Sequence, residues 1–378
     1  GTIWEDLTEL DYGNKELWKY IADIFILWCD RGVDGFRCDA GYMIPVPAWE
    51  YIIARVREKY PDIIFLLEGL GGDPAVTTRL LDYANMNWAY SELFQNYSRQ
   101  QIEGYLNYAW KESIGNGLMV NYAETHDNSR LAAVSETYAR MRTALCALTS
   151  MNGAFGFANG VEWYAKEKID VHEARGLSWG AEPNQVDFIG RLNTILQRHP
   201  AFHNGASVRF IESGSPNGLL IVRTDASGRK NVLVAINLDC EHPTTLSWNP
   251  HDSNSTGLTA YDLLCNETVN IRVVDHAGFE MKLPPGWVRC LSCDDSDLAL
   301  INGNSSDRLD RFSKTGFQEA CTMVLKTLAC IRGSSVLQKS DRIETLANEL
   351  LESPEAFLAN LENSGSEPAF VRWQWPAD

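Results

Sequence analysis

Residues 32–40 read Gly-Val-Asp-Gly-Phe-Arg-Cys-Asp-Ala, and this stretch decides the expected fold. It follows an amphipathic segment, residues 17–29, whose apolar side chains recur at three- and four-residue steps, as in a helix that packs on one face. Gly32 is a typical helix end, and residues 33–38 are predicted to form a short strand that stops before Asp39. A helix followed by a strand and a terminal carboxylate is typical of α/β proteins, in which parallel strands carry functional side chains at their carboxyl ends.

The same alternation continues from this stretch to about residue 200. Helices are predicted at 49–60, 75–82, 99–111, 135–149 and 184–198. Further strands are predicted at 63–67, 84–88, 118–122 and 154–157. These make about five strand–helix units, where a closed (β/α)8 barrel has eight. The expected fold class is therefore α/β, an incomplete (β/α)8 TIM barrel (about strands 4–8) with its other units upstream of Gly1.

After residue 204 the pattern changes to short strands separated by Gly, Pro, Asn and Asp. They are predicted at 207–211, 219–223, 232–238, 244–248, 269–274 and 279–283. The expected domains are a catalytic barrel part at 1–204, an antiparallel β-sandwich domain at 205–293, and a helical extension or linker to a further module at 294–378. Within that extension, helices are predicted at 316–331, 340–351 and 354–363.

The composition excludes several classes of partner. The chain has 378 residues, 45% of them apolar and 22% charged, as in soluble globular proteins. Its formal net charge of −17 repels phosphate backbones, so no nucleic-acid partner is expected, whereas neutral sugars are not repelled. No apolar run of about eighteen residues is present, so no membrane span is expected. The oligomeric state is left open.

The cysteines bear on location and on metal binding. There are nine, an odd number at irregular spacings, which favours a reducing compartment over a secreted disulfide scaffold, so we expect a cytoplasmic location. Cys290 and Cys293 form one C-x-x-C motif. Because no second pair stands at a zinc-ribbon spacing, no metal site is predicted.

Three segments each place a carboxylate after an apolar, strand-like run. Asp39 ends the first, Glu68 follows Phe-Leu-Leu, and Asp127 stands in Asn-Tyr-Ala-Glu-Thr-His-Asp. The carboxyl ends of parallel barrel strands meet at one mouth, so the three carboxylates are expected to converge there. Each segment taken alone is more often structural, as a strand end, a helix cap or a buried ion pair. Their order and compatible spacing together favour a functional site.

The residue types suit the cleavage of a glycosidic bond with retention, which needs a carboxylate nucleophile and a carboxylic acid that protonates the leaving oxygen. Glu68 ends an entirely apolar run and suits the acid. Arg37 shares a strand face with Asp39 and would hold that nucleophile charged and oriented. His126 can donate a hydrogen bond to a sugar hydroxyl.

Aromatic residues near the strand ends are candidates for stacking on sugar rings. They are Tyr42, Trp88, Tyr90 and Trp163. For each one alone, core or rim packing is the more common role. We keep Tyr42 and Trp88 as candidate substrate-binding residues.

The segments GVDGFRCDAG, FLLEG and ETHDN resemble, in this order, the second, third and fourth motifs of the α-amylase family, family 13 of the glycoside hydrolases. The resemblance covers about residues 1–291. It implies Asp39 as nucleophile, Glu68 as general acid/base and Asp127 as the carboxylate that stabilises the transition state, with Arg37 and His126 assisting. The family's first motif would lie upstream of Gly1, and calcium, which relatives often bind, would be held there. No cofactor is identified within the chain itself.

The expected function is a retaining glycoside hydrolase that acts on α-glucans (glycogen, starch or maltodextrin) through a covalent glycosyl–Asp39 intermediate. A sugar acceptor in place of water would make the enzyme a transglycosylase, and the sequence does not decide between the two. A non-catalytic glucan-binding barrel is a further alternative. The presence of all three carboxylates argues against it.

Overall fold

The computed structural model of the chain describes residues 8, 10–115, 117–170, 177–253, 258–274, 278–303, 348 and 350. The chain divides into two units, Gly1–Ile301 and Asn302–Asp378. The helices predicted at 316–331 and 354–363 lie outside the described residues, and only 348 and 350 are described within 340–351. Within the described ranges, no helix combines the length and the apolar character that crossing a bilayer requires. The three-domain division stays a prediction.

The first part of the chain is an α/β structure with a five-stranded parallel sheet, in which each strand pairs with the next along the chain. The strands are β1 (Gly35–Cys38), β2 (Ile64–Leu67), β3 (Trp88–Ser91), β4 (Leu118–Tyr122) and β5 (Phe155–Gly156). The helices are α1 (Lys15–Asp30), α2 (Val46–Arg57), α3 (Pro74–Asp82), α4 (Arg99–Glu112), α5 (Glu136–Leu148) and α6 (Val186–Arg198). The predicted parallel α/β architecture is thus confirmed.

Several helices begin where a polar side chain satisfies backbone N–H groups that have no partner within the helix. Asn14, Asp73 and Ser135 cap α1, α3 and α5 in this way. Ser98 and Gln101 form a reciprocal capping box at the start of α4. These local signals explain why most predicted helix ends lie within about three residues of the observed ones.

The third strand was predicted at 84–88, and this prediction was wrong because β3 begins only at Trp88. Asn85 has a φ of +58°, so the chain turns before it enters the sheet. The side chain of Asn87 closes that turn, since its Oδ1 accepts hydrogen bonds from the Phe65 N–H at 2.9 Å and from Arg57 Nη2 at 2.7 Å. The alternation of apolar and polar residues that predicts strands gives no sign that the Asn87 side chain bonds the backbone of β2, so the start of β3 could not be placed from the sequence.

The two faces of the parallel sheet have different surroundings. Helices cover one face, where the buried side chains include Cys38, Phe65, Leu67, Ala89 and Met119. The other face is partly exposed; on it Arg37 pairs in register with Leu66, and Leu66 with Trp88. Side chains alternate between faces along a strand, so Asp39 and Glu68, just past β1 and β2, belong to the carboxyl edge of the open face.

Two antiparallel sheets follow. Their strands are β6 (Ser207–Ile211), β7 (Gly218–Thr224), β8 (Asn231–Asn237), β9 (Thr244–Trp248), β10 (Thr259–Asp262), β11 (Glu267–Asn270), β12 (Arg272–Val274), β13 (Gly278–Leu283) and β14 (Val288–Ser292). The larger sheet has the order β11-β10-β14-β8-β7-β6, and the smaller one β12-β13-β9. Both contribute to one core, in which Leu220, Leu233 and Leu291 meet Leu246 and Phe279. A short helix, α7 (Asp295–Asn302), follows β14.

Here the sequence-based strands need correction. The strand predicted at 269–274 is two strands in different sheets, since β11 pairs with β10 and β12 with β13. Buried Ile271 lies at the crossing. Strands β10 and β14 were not predicted; Asp262 in β10 and Arg289 in β14 hide their apolar alternation and pair with each other at 2.9 Å. The C-x-x-C motif is split between Cys290, buried in β14, and Cys293, exposed beyond it.

Candidate active site

Asp39 lies directly after β1, with 78% of its side chain exposed. Arg37 Nη1 donates a hydrogen bond to Asp39 Oδ1 at 2.5 Å, so the predicted contact along one strand face is present. Arg37 is held in turn from β3, because its Nε donates to the Tyr90 hydroxyl at 3.1 Å. The Tyr90 ring packs on Tyr122 of β4, with ring centroids 4.3 Å apart. Residues of three strands, β1, β3 and β4, therefore orient one exposed carboxylate.

Glu68 lies directly after β2 and is half-buried. Its Oε2 accepts a hydrogen bond from the Ala40 N–H at 2.8 Å, and its Oε1 accepts one from the Leu70 N–H at 3.3 Å. Ala40 has a φ of +42°, a rare conformation for a residue with a side chain, which its surroundings must hold in place. Because Ala40 follows Asp39, this bond ties the Glu68 carboxylate to the segment that carries the predicted nucleophile.

Tyr42 lies close to both carboxylates, in a short 3-10 helix, Gly41–Met43. Burial raises the pKa of the Tyr42 hydroxyl, and the negative charges of Glu68 and Asp39 raise it further. Its ring packs against the backbone of Gly72, where an added Cβ would lie 2.9 Å from Tyr42 Cγ. The close approach at Gly72 therefore sets where the Tyr42 ring can lie.

His126 and Asp127 form a separate pair in the loop after β4. His126 Nε2 lies 3.2 Å from Asp127 Oδ2, and 69% of the Asp127 side chain is exposed. Within the described parts of the chain, no hydrogen bond or ion pair joins Asp127 to Asp39 or Glu68. The structure therefore brings Arg37, Asp39, Glu68 and Tyr42 into one group, whereas His126 and Asp127 follow β4, two strands from β2 in the same sheet.

The aromatic candidates have different positions. Trp88 begins β3 and is half exposed on the open face, level with Arg37 rather than in a loop beyond the strand end. Tyr90 is buried and holds Arg37 from β3, two strands away on the same face of the sheet. Its role was not visible in the sequence, because Tyr90 lies beyond the strand predicted at 84–88. Trp163 lies after β5 with its ring centroid 5.9 Å from that of the exposed Trp179.

Sequence reasoning missed two charged residues on either side of the His126–Asp127 pair. Glu124 and Arg130 are buried and form an ion pair at 2.5 Å. Charged residues are rarely buried unless they are paired. The presence of an acidic residue just before the His-Asp motif and a basic residue just after it was the signal in the sequence that could have predicted this ion pair.

Only one group of side chains in the described ranges has the spacing of a metal site, formed by Asp262, Cys265 and Glu267. Asp262 is already satisfied by the protein, because its oxygens accept hydrogen bonds from the Leu264 and Cys290 N–H groups and from Arg289. Arg289 also bonds Glu267. A guanidinium held between two carboxylates occupies the place of a cation, so this group does not fit a metal.

Comparison with known proteins relates the chain to two sets of relatives. It is 25% identical over 249 residues to the alpha-1,4-glucan:maltose-1-phosphate maltosyltransferase of Rhodospirillum rubrum. The matched region covers 62% of this chain and 36% of that protein. It is likewise 25% identical over 276 residues to the enzyme of that name from Methylacidiphilum infernorum, covering 68% and 40%. The chain thus spans well under half the length of these two relatives. No family model matches it.

Solved structures show the same fold. The α-amylase of Geobacillus thermoleovorans in complex with acarbose superposes with a TM-score of 0.63 at 14% identity, covering 75% of this chain and 65% of that one. The α-amylase of Lactobacillus plantarum superposes with a TM-score of 0.59 at 20% identity, covering 77% and 69%. Together with the three motifs around Asp39, Glu68 and Asp127, these matches relate the chain to the α-amylase family and show that it shares the fold of solved α-amylases.

Proposed function

We propose that this chain carries the catalytic residues of a retaining enzyme that acts on α-glucans. One observation carries the proposal: Asp39 and Glu68 follow neighbouring parallel strands, and the Ala40 N–H donates to Glu68 Oε2 at 2.8 Å. Retention needs two carboxyl groups only about 5–5.5 Å apart. A direct bond between the two strand ends supports that short separation.

In the proposed reaction the Asp39 carboxylate attacks the anomeric carbon while Glu68 gives its proton to the leaving oxygen. This forms a covalent glycosyl–Asp39 ester and leaves Glu68 ionised. Glu68 then takes the proton of the acceptor hydroxyl as that oxygen attacks the ester-linked carbon and releases Asp39. Arg37 orients Asp39 through their hydrogen bond, and His126 and Asp127 contact the sugar. The chemistry uses side chains alone and requires no cofactor.

The acceptor decides between hydrolysis and transfer. The curated relatives are named as maltosyltransferases that use maltose 1-phosphate and an α-1,4-glucan. Their names favour transfer to a glucan such as glycogen or maltodextrin over hydrolysis by water, and we propose transfer as the main reaction.

The finer architecture belongs to the same proposal. The parallel sheet is interpreted as about strands 4–8 of a (β/α)8 barrel, because its strands follow chain order and the predicted catalytic residues lie at its carboxyl edge. The two antiparallel sheets with a shared core are interpreted as a β-sandwich. A cytoplasmic location is supported by the buried thiols of Cys29, Cys38, Cys146 and Cys290.

The test supplies the whole protein, with the complete barrel that the interpretation as strands 4–8 implies, with maltose 1-phosphate and maltoheptaose. It follows phosphate release and the anomeric configuration of the first product by NMR. We expect α-linked elongated glucans, and no turnover by Asp39→Asn although that variant still binds maltoheptaose. A first product with β configuration, or full activity of Asp39→Asn, would overturn the roles assigned here. Glucan binding without turnover by the unaltered chain would instead indicate a binding barrel. Free maltose as the main product would indicate a hydrolase.

A further inference from the structure

The loop that carries His126 and Asp127 has buried ends and an exposed tip. We call residues 124–130 the His126 loop. Glu124 and Arg130, its first and last residues, have side chains only 3% and 0% exposed. The tip, by contrast, presents Asp127 to solvent. Burying two charged groups is costly unless each is fully paired, so such residues need a reason for their place.

The two ends of the His126 loop bond each other directly. Arg130 Nη1 donates to Glu124 Oε1 at 2.5 Å, and the Leu131 N–H donates to Glu124 Oε2 at 2.7 Å. Burial raises the pKa of Glu124, while the Leu131 N–H and Arg130 oppose that rise. The Glu124 carboxylate thus closes the base of the loop through both of its oxygens.

The same pair ties the loop to the segment after β5. Arg130 Nη2 donates to the Asn159 carbonyl at 2.7 Å, and Arg130 Nε donates to the Glu167 carbonyl at 3.1 Å. The room for this guanidinium depends on Gly160, whose φ is +99° and whose added Cβ would lie 2.6 Å from Arg130 Nη2. The base of the His126 loop is therefore fixed to the neighbouring strand connection as well as to itself.

The tip has fewer supports of its own. The Thr125 hydroxyl accepts a hydrogen bond from the Asp127 N–H at 3.3 Å and bonds the Asn128 side chain. Thr125 is itself buried next to Glu124. The direction in which the tip projects is consequently set at the base, where Glu124 and Arg130 lie.

We infer that Glu124 and Arg130 are positioning residues, which act through the His126 loop to hold His126 and Asp127 at the site. This inference rests on the proposed function, in which those two residues contact the sugar. A purely structural pair would contribute stability and nothing else. The chain offers a comparison for that case, because Asp262 and Arg289 form another buried pair, at 2.9 Å, in the antiparallel sheets.

The experiment compares Glu124→Asp, Glu124→Gln, Arg130→Lys and the control Asp262→Asn in the full chain. Lys cannot make the several directed bonds of a guanidinium, and Asp keeps the charge of Glu124 but shortens its reach. We expect kcat with maltose 1-phosphate and maltoheptaose to fall by about tenfold to a hundredfold in the three loop variants, with KM changed by less than about threefold, because misplacing a group by 1 Å costs about a hundredfold in rate. Asp262→Asn should lower the melting temperature and leave kcat unchanged.

Amide hydrogen exchange gives a second measurement that needs no turnover. Residues 124–131 should exchange faster in the loop variants and at the unaltered rate in Asp262→Asn. If Glu124→Gln does not fold, Glu124→Asp decides. Unchanged kcat and unchanged loop exchange in a folded loop variant would overturn the inference. If the unaltered protein shows no turnover, the proposed function fails. Faster exchange confined to the His126 loop would then still support the positioning of that loop by Glu124 and Arg130, and unchanged exchange would refute it.

Discussion

The described residues include two aspartate–arginine pairs in different surroundings. Arg37 and Asp39 lie at the carboxyl edge of the parallel sheet, where the Asp39 side chain is 78% exposed and the Arg37 side chain 32%. Asp262 and Arg289, in the antiparallel sheets, are buried, and Asp262 accepts two further bonds from backbone N–H groups. Among the described residues no donor bonds Asp39 Oδ2, whereas the protein satisfies both oxygens of Asp262. Asp39 therefore keeps a carboxylate oxygen available to a ligand, whereas both oxygens of Asp262 are already bonded within the protein.

Strand direction accounts for the difference. Parallel strands all end at the same edge, so residues that follow β1 and β2 meet there without being enclosed by the sheet. Antiparallel strands return directly beside each other, and an ion pair across β10 and β14 is enclosed by its own ladder. A charged pair at the carboxyl edge of a parallel sheet is expected to take part in chemistry. A charged pair enclosed by antiparallel strands is expected to contribute to stability.

The largest effect expected from this comparison concerns Asp39. We expect Asp39→Asn to lower kcat by roughly 10⁴-fold or more, because a neutral amide cannot act as the nucleophile. Its melting temperature should stay within about 2 °C of the parent, since exposed pairs contribute little to stability. Turnover of maltose 1-phosphate and thermal unfolding measure the two quantities. A stability loss in place of an activity loss would break the comparison.

The reverse is expected of Asp262→Asn. Removing one partner of a buried ion pair typically costs about 3–5 kcal/mol in the free energy of unfolding. Here Arg289 keeps its bond to the more exposed Glu267 but loses its buried carboxylate partner, so we expect a loss toward the lower end of that range. Urea unfolding measures this loss. As a control, Arg272→Gln breaks the more exposed pair between Arg272 and Glu280 and should cost less than about 1 kcal/mol. Equal losses in the two variants would show that burial does not distinguish these pairs.

The pH dependence of stability tests the role of another buried carboxylate, Asp297. Burial of Asp297 opposes ionisation, but hydrogen bonds from His199, Lys230 and Ser292 outweigh it and lower the pKa of Asp297 to about 2. Stability from a lowered carboxyl pKa is present above the unfolded value of 3.8 and is lost as the pH falls through the folded value. Between pH 4 and pH 2, Asp297→Asn should therefore lose about 2 kcal/mol less than the unaltered chain. Equal slopes in urea titrations across that range would contradict the assignment.

The smallest effect is expected at Gly72. In Gly72→Ala the new Cβ would meet Tyr42 Cγ at 2.9 Å, so the ring must shift relative to Asp39 and Glu68. We expect KM for maltoheptaose to rise by about twofold to tenfold, which corresponds to roughly 1 kcal/mol of binding. Gly104→Ala is the control, because an added Cβ there, in α4, meets nothing within 4 Å. That variant should leave KM unchanged and slightly raise stability.

Much of the α/β region and of the site was predictable because the relevant signals are local. Apolar periodicity and the caps at Asn14, Asp73 and Ser135 determined most helices. Strand alternation alone placed Arg37 beside Asp39. The strand shift at Asn85 and the change of sheet at Ile271 could not be predicted, because each depends on which strand the backbone pairs with next.

The chain's periodicity, motif order and caps were sufficient for the α/β class and for the identity of the three candidate carboxylates, since each is encoded within a few neighbouring residues. Tertiary structure alone decided which distant residues hold them. The bond from Ala40 to Glu68, the Tyr90 hydroxyl on Arg37, and the buried Glu124–Arg130 pair tied to Asn159 each join separate segments of the chain. Register and packing fix such contacts, and a residue's own neighbours in sequence carry no record of them.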